Sequence, residues 1–138
     1  MTTIVVAPGQ GSQTSGFLMS WITDVPGFRS QLEAYSEVVG LDLIELGTQA
    51  TDETIKDTAI AQPLIVAASL ASYRTMPEAN IEGVAGHSVG EFTAAAISGV
   101  LSDEDALKMV SVRAKAMATA SAKVETSMAA IIGGETSA

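Results

Sequence analysis

The stretch Ile81-Glu82-Gly83-Val84-Ala85-Gly86-His87-Ser88-Val89-Gly90-Glu91, running on into Phe92-Thr93-Ala94-Ala95-Ala96-Ile97, decides the fold. Ile81 to Gly86 reads as a short strand and Phe92 to Ile97 as an Ala-rich helix, with only a few residues between them to turn the chain. Gly86-His87-Ser88-Val89-Gly90 fits the G-x-S-x-G elbow, in which a strand turns so sharply into a helix that the serine stands clear above the sheet edge. Glycines flank the serine because side chains there would collide. The plainer alternative is a tight strand-to-helix turn in which Ser88 merely caps the helix. Strand, turn and helix in that order place the chain in the α/β class.

A serine hydroxyl is a poor nucleophile until a base takes its proton. The chain has one histidine, His87, next to Ser88 on the same turn, so its side chain is expected to point away from the hydroxyl and to pack or hydrogen-bond beneath the elbow. If Ser88 is the nucleophile, its base comes from outside this sequence, from a further part of the protein or from a second chain.

Working outward toward the N-terminus, Thr3 to Ala7 is a β-branched run stopped by Pro8-Gly9, as in a parallel strand buried on both faces. It feeds the loop Gly9-Gln10-Gly11-Ser12-Gln13. Gly11 to Gly16 is followed by Phe17 rather than Lys and Ser/Thr, so the phosphate-loop pattern fails, and the dinucleotide fingerprint lacks its third glycine at Thr14. In elbow folds an early strand-to-helix loop supplies one oxyanion donor and the residue after the nucleophile supplies the other, which points to the backbone N–H groups of Gln10 and Val89.

Helices should cover both faces of such a sheet. Phe28, Leu32, Tyr35 and Val39 recur at helical spacing before Gly40, and Leu41 to Thr58 reads as short helical turns. A helix rich in small residues is predicted to start near Gln62-Pro63 and stop before Pro77. Ser102 caps another, with acidic residues in its first turn, that reaches about Ala120. On that helix Ala106, Val110, Ala114 and Met117 form an apolar arc with Leu107 beside it, while Glu104, Lys108 and Lys115 lie opposite. Arg113 falls inside the arc. An inward guanidinium needs an anion, either an internal carboxylate or a substrate's, unless it snorkels to the rim.

The 138 residues suffice for one domain with a real core, and 47% of them are hydrophobic although only 4% are aromatic. That balance suits tightly packed α/β layers or a layer whose cover lies elsewhere. A net charge of −9 argues against nucleic acid as a partner, and the absence of cysteine excludes a disulfide framework, a thiolate metal site and a cysteine nucleophile. No apolar run is long enough to span a bilayer, and the first residues carry no basic leader, so a cytoplasmic location without membrane contact is expected.

Pro8-Gly9-Gln10-Gly11-Ser12-Gln13, Ala61-Gln62-Pro63, Gly86-His87-Ser88-Val89-Gly90-Glu91 and Arg113, in that order, closely resemble the malonyl-CoA:acyl carrier protein transacylases and the acyltransferase domains of fatty-acid and polyketide synthases. The resemblance implies a large α/β-hydrolase-like subdomain with a ferredoxin-like subdomain inserted in it. Residues 1–124 would belong to the first, and 125–138, with strand character from Ser127, would begin the second. It also implies a ping-pong transfer of malonyl from malonyl-CoA to Ser88 and then to the phosphopantetheine thiol of acyl carrier protein, with the CoA thioester as substrate and no metal or cofactor. Arg113 would pair with the malonyl carboxylate, Gln10 and Val89 would hold the oxyanion, and Ser12, Gln62 and His87 would line the pocket. The base histidine of such enzymes lies farther along the chain than Ala138, so this sequence is expected to be the N-terminal half of a member and nearly inactive alone. Ala114 stands where a glycine often follows the arginine, and Ala7 where an aromatic residue often precedes the proline. Neither change removes a reacting group. The alternatives are a serine hydrolase or thioesterase, and a non-catalytic module that docks acyl carrier protein.

Overall fold

The computed structural model describes residues 3–78 and 80–124. The strand and subdomain boundary expected from 125 onward lie outside the described residues. Two strands, β1 (Thr3–Ala7) and β2 (Ile81–Gly86), pair in parallel with Val5 opposite Val84 and Ala7 opposite Gly86. Parallel neighbours need a long crossover, and here it holds five helices: α1 (Met19–Asp24), α2 (Phe28–Val39), α3 (Leu43–Thr48), α4 (Asp52–Lys56) and α5 (Thr58–Thr75). The elements α6 (Gly90–Ile97) and α7 (Asp103–Ser121) follow β2. This is a parallel sheet with flanking helices, as the strand-turn-helix reading requires.

The core centres on α5, whose middle from Ala61 to Ala71 is buried apart from Ser69 and which is packed by α2, α6 and α7. Ala61, Ala67, Ala68 and Ala71 are buried along it, and these small side chains let neighbouring helices approach closely. The predicted arc of α2 is found intact: Phe28, Leu32, Tyr35 and Val39 are its buried residues, and Gly40 ends it at φ 68°. Ser102 caps α7 by accepting the Asp105 N–H at 3.0 Å, and Ala106, Leu107, Val110 and Ala114 are buried on it.

Three expectations are corrected. The central helix starts at Thr58, not at Gln62-Pro63, because the Asp57 carboxylate accepts the Ala59 N–H at 2.8 Å and caps the chain earlier. Pro63 therefore sits inside the helix, where it offers no N–H to the Ala59 carbonyl. The Ala-rich helix likewise begins at Gly90 rather than Phe92. Finally, β1 is not buried on both faces: Ala7 is buried, but Ile4 is 54% and Val6 72% exposed, because the described helices cover one face of the sheet only.

Candidate active site

At the end of β2 the backbone of Ser88 adopts φ 55°, and it is the one non-glycine residue in the left-handed region among those described. That conformation costs an L-residue on the order of 1–2 kcal/mol and marks the elbow as built rather than incidental. The surroundings force it. A Cβ on Gly86 would overlap the Gly90 carbonyl, and one on Gly90 would overlap the backbone of Ala7 and Pro8, so only glycines let α6 start so close above the sheet. The His87 N–H donates to the Ala7 carbonyl at 3.1 Å and ties the elbow to the end of β1. Ser88 stands exposed at the top.

His87 is exposed too, rather than packed or hydrogen-bonded beneath the elbow. Its ring lies over Gly9, where a Cβ would come within 2.5 Å of Nδ1, because Gly9 leaves room for it on the outer surface of the loop. The ring makes no hydrogen bond among the described residues, to Ser88 or to any other group.

Arg113 reaches the serine from α7. Its Nη1 donates to Gln62 Oε1 at 2.6 Å and its Nη2 to Ser88 Oγ at 3.4 Å. No carboxylate pairs with it among the described residues, where the ion pairs are Arg29 with Glu33, Arg74 with Asp103, and Lys108 with Glu104. Among the described residues the guanidinium thus stands beside the serine with no carboxylate to offset its charge.

Gln62, 1% exposed on α5, is the hub. Besides accepting from Arg113, its Nε2 lies 3.4 Å from both Gln10 Oε1 and Met117 Sδ. The Gln10 Nε2 in turn donates to Thr58 Oγ1 at 3.2 Å. Three segments distant in sequence, the first loop, α5 and α7, thus meet at Gln62, and Arg113 carries the connection on to Ser88. The backbone N–H groups of Gln10 and Val89 donate no hydrogen bond among the described residues. Ser12 stands apart: its hydroxyl donates to the Gly9 carbonyl at 3.0 Å and closes the loop on itself.

The roles of Thr58 and Met117 escaped the sequence reading. Thr58 sits one turn before Gln62 on α5, and Met117 one turn after Arg113 on α7. Helical spacing was therefore the available signal, and it became usable only once the helix starts were known. An open concavity of about 780 Å³ between α2 and α3 contains none of these residues. Among the described residues no His, Asp and Glu cluster could hold a metal ion, and no helix is long and apolar enough to cross a membrane.

The chain matches the acyl transferase domain family over residues 4–136. It is 46% identical over 136 residues to the malonyl CoA-acyl carrier protein transacylase of Mycobacterium bovis, covering 95% of this chain and 45% of that protein. The crystal structure of the Mycobacterium tuberculosis enzyme aligns with a TM-score of 0.80 at 46% identity, over 89% of this chain and 42% of that one. A type II polyketide synthase acyl-carrier protein in complex with its malonyl-transacylase gives a TM-score of 0.77 at 34% identity, over 85% of this chain and 39% of that one. The chain thus spans somewhat under half the length of the relatives it matches. With a match that runs almost from end to end, the chain belongs to the acyl transferase domain family.

Proposed function

We propose that this chain carries the nucleophile and the carboxylate clamp of a malonyl-CoA:acyl carrier protein transacylase, serving fatty-acid or polyketide synthesis in the cytoplasm. The observation that carries the reading is Arg113: a guanidinium with no carboxylate partner among the described residues, held by Gln62 at 2.6 Å and 3.4 Å from the Oγ of a serine on a strained elbow. A neutral ester or amide substrate would leave that charge unanswered. A malonyl thioester brings a carboxylate to it and a carbonyl to the serine at once.

Ser88 Oγ attacks the thioester carbonyl as its proton passes to a base. The carbonyl oxygen becomes an oxyanion facing the Gln10 and Val89 N–H groups. Collapse breaks the C–S bond, CoA leaves as the thiol after taking up a proton, and the malonyl group remains as a serine ester. The phosphopantetheine thiol of acyl carrier protein then attacks the ester and frees the serine. His87 does not bond to Ser88, so the base is contributed from outside these residues, by a further part of the protein or by a second chain, and the chain alone is nearly inactive.

The test is intact-mass measurement after incubation with malonyl-CoA, with and without imidazole as a diffusible base, followed by peptide mapping. A malonyl adduct on Ser88 that imidazole accelerates, that Ser88→Ala abolishes and that acyl carrier protein discharges is the expected result. An adduct elsewhere, or none with imidazole present, overturns the reading. Free malonate released without an acceptor thiol would reassign the site to hydrolysis.

A further inference from the structure

Gln13 is buried, at 8% exposure, yet it takes no part in the hydrogen bonds linking Gln10, Gln62, Arg113 and Ser88. Its Oε1 accepts the Gly11 N–H at 2.9 Å, and its Nε2 donates at 2.9 Å to the carbonyl of Ile55, 42 residues away. Ile55 lies in the last turn of α4 with its side chain fully buried, so that carbonyl is a fixed anchor, and it is one of the helix-end acceptors that need a partner from outside the helix.

The loop is also tied by the Ser12 hydroxyl to the Gly9 carbonyl and by the Gln10 side chain to Thr58 and Gln62, but among the described residues the Gly11 N–H is held by Gln13. Gly11 sits at φ 104° with open space around it, and Gly11 and Ser12 are exposed. Gln10 is flanked by two restrained points, Gly9 against the His87 ring and Gly11 on the Gln13 amide. The direction of the Gln10 N–H follows from where those two points stand.

We propose that Gln13 is a positioning residue, which acts through Gly11 to hold the Gln10 N–H where the oxyanion forms; this rests on the acyl-transfer reading above. Burial of an amide whose oxygen and nitrogen are both hydrogen-bonded, away from the serine and between a glycine loop and a helix end, is what such a role requires. A side chain that only filled space would have no need of both polar atoms.

The experiment compares wild type, Gln13→Leu, Gln13→Glu and, as a control for lost stability far from the loop, Tyr35→Phe. Two quantities are read: hydrogen exchange of the Gly11 amide by NMR, and single-turnover malonylation of Ser88 over a range of malonyl-CoA concentrations with imidazole present. Gln13→Leu should speed Gly11 exchange and lower the saturating rate constant about 100-fold, as for a misplacement near 1 Å. Its half-saturating concentration should stay within about a factor of two of wild type. Gln13→Glu keeps the Gly11 acceptor but turns a carboxylate oxygen on the Ile55 carbonyl until it is protonated. Its rate relative to wild type should therefore recover between about pH 8 and about pH 5. Tyr35→Phe should match wild type in both readouts.

A Gln13→Leu rate constant equal to wild type overturns the proposal. So does a loss that appears in half-saturation instead, or one that Tyr35→Phe shares. If wild-type Ser88 takes no malonyl, the acyl-transfer reading falls by itself, and Gly11 exchange alone decides whether Gln13 holds the loop: exchange unchanged in Gln13→Leu overturns that as well.

Discussion

Ser88 is held in a backbone conformation that suits glycine, and the cost is set by its neighbours rather than by the serine itself. Replacing it with glycine removes about 1–2 kcal/mol of left-handed strain but adds about 0.4–1 kcal/mol of unfolded-state freedom. Ser88→Gly should therefore raise stability by about 0.5 kcal/mol in urea denaturation while abolishing acylation. A stability loss would show that the elbow is not strained. Arg113 invites a second substitution, because its two nitrogens face different partners, Gln62 and Ser88. Lysine keeps the charge and loses the planar fork. Arg113→Lys should lower the preference for malonyl-CoA over acetyl-CoA, measured as the ratio of dissociation constants by calorimetry, about tenfold or more. An unchanged ratio would remove Arg113 from carboxylate recognition.

Among the elements, α2, α5 and α7 are clasped by one carboxylate. Asp103, in the first turn of α7, accepts from Arg74 Nη2 at 2.7 Å and Arg74 Nε at 3.0 Å on α5, and from the Tyr35 hydroxyl at 2.5 Å on α2. The Arg74 hydrogen bonds hold the Asp103 carboxyl below its usual 3.8 against the opposing effect of burial. Burial, with the Asp103 hydrogen bond, pushes the Tyr35 hydroxyl above its ordinary value. A depressed carboxylate contributes stability above its unfolded value and loses it as pH falls through the lower folded one. Wild type should therefore lose stability faster than Asp103→Asn on acidification below about pH 4, although the variant is less stable by about 1 kcal/mol at neutral pH. Parallel acid-unfolding curves for the two proteins would show that the clasp is not linked to protonation. These elements also show why local signals are uneven guides. Gly40 and Ser102 mark helix ends that the structure keeps, since each acts on the adjacent backbone. Pro63 misplaces a start, since the Asp57 cap earlier in the chain outweighs it.

At the scale of the molecule, the described residues leave one face of their two-stranded sheet uncovered, with Ile4 and Val6 on it. Apolar strand faces of this kind seek cover, while a net charge of −9 keeps copies apart. Self-association should thus strengthen as salt screens the repulsion and weaken in Val6→Lys, read by sedimentation velocity; a monomer at every salt concentration would show that the face is indifferent to cover. The residues themselves determined the α/β class, the elbow, and the misfit of Arg113 on its helix, because each follows from a local pattern: glycine spacing, the period of a strand or the period of a helix. Tertiary structure alone decided that Gln10, Gln62, Met117, Arg113 and Ser88 meet, that no acid among the described residues pairs with Arg113, and that Gln13 ties the first loop to Ile55. These are contacts across more than 20 residues of chain in every case but those within the loop. Such partners are selected by the packing of α5 between its neighbours, and no pattern confined to one segment encodes them.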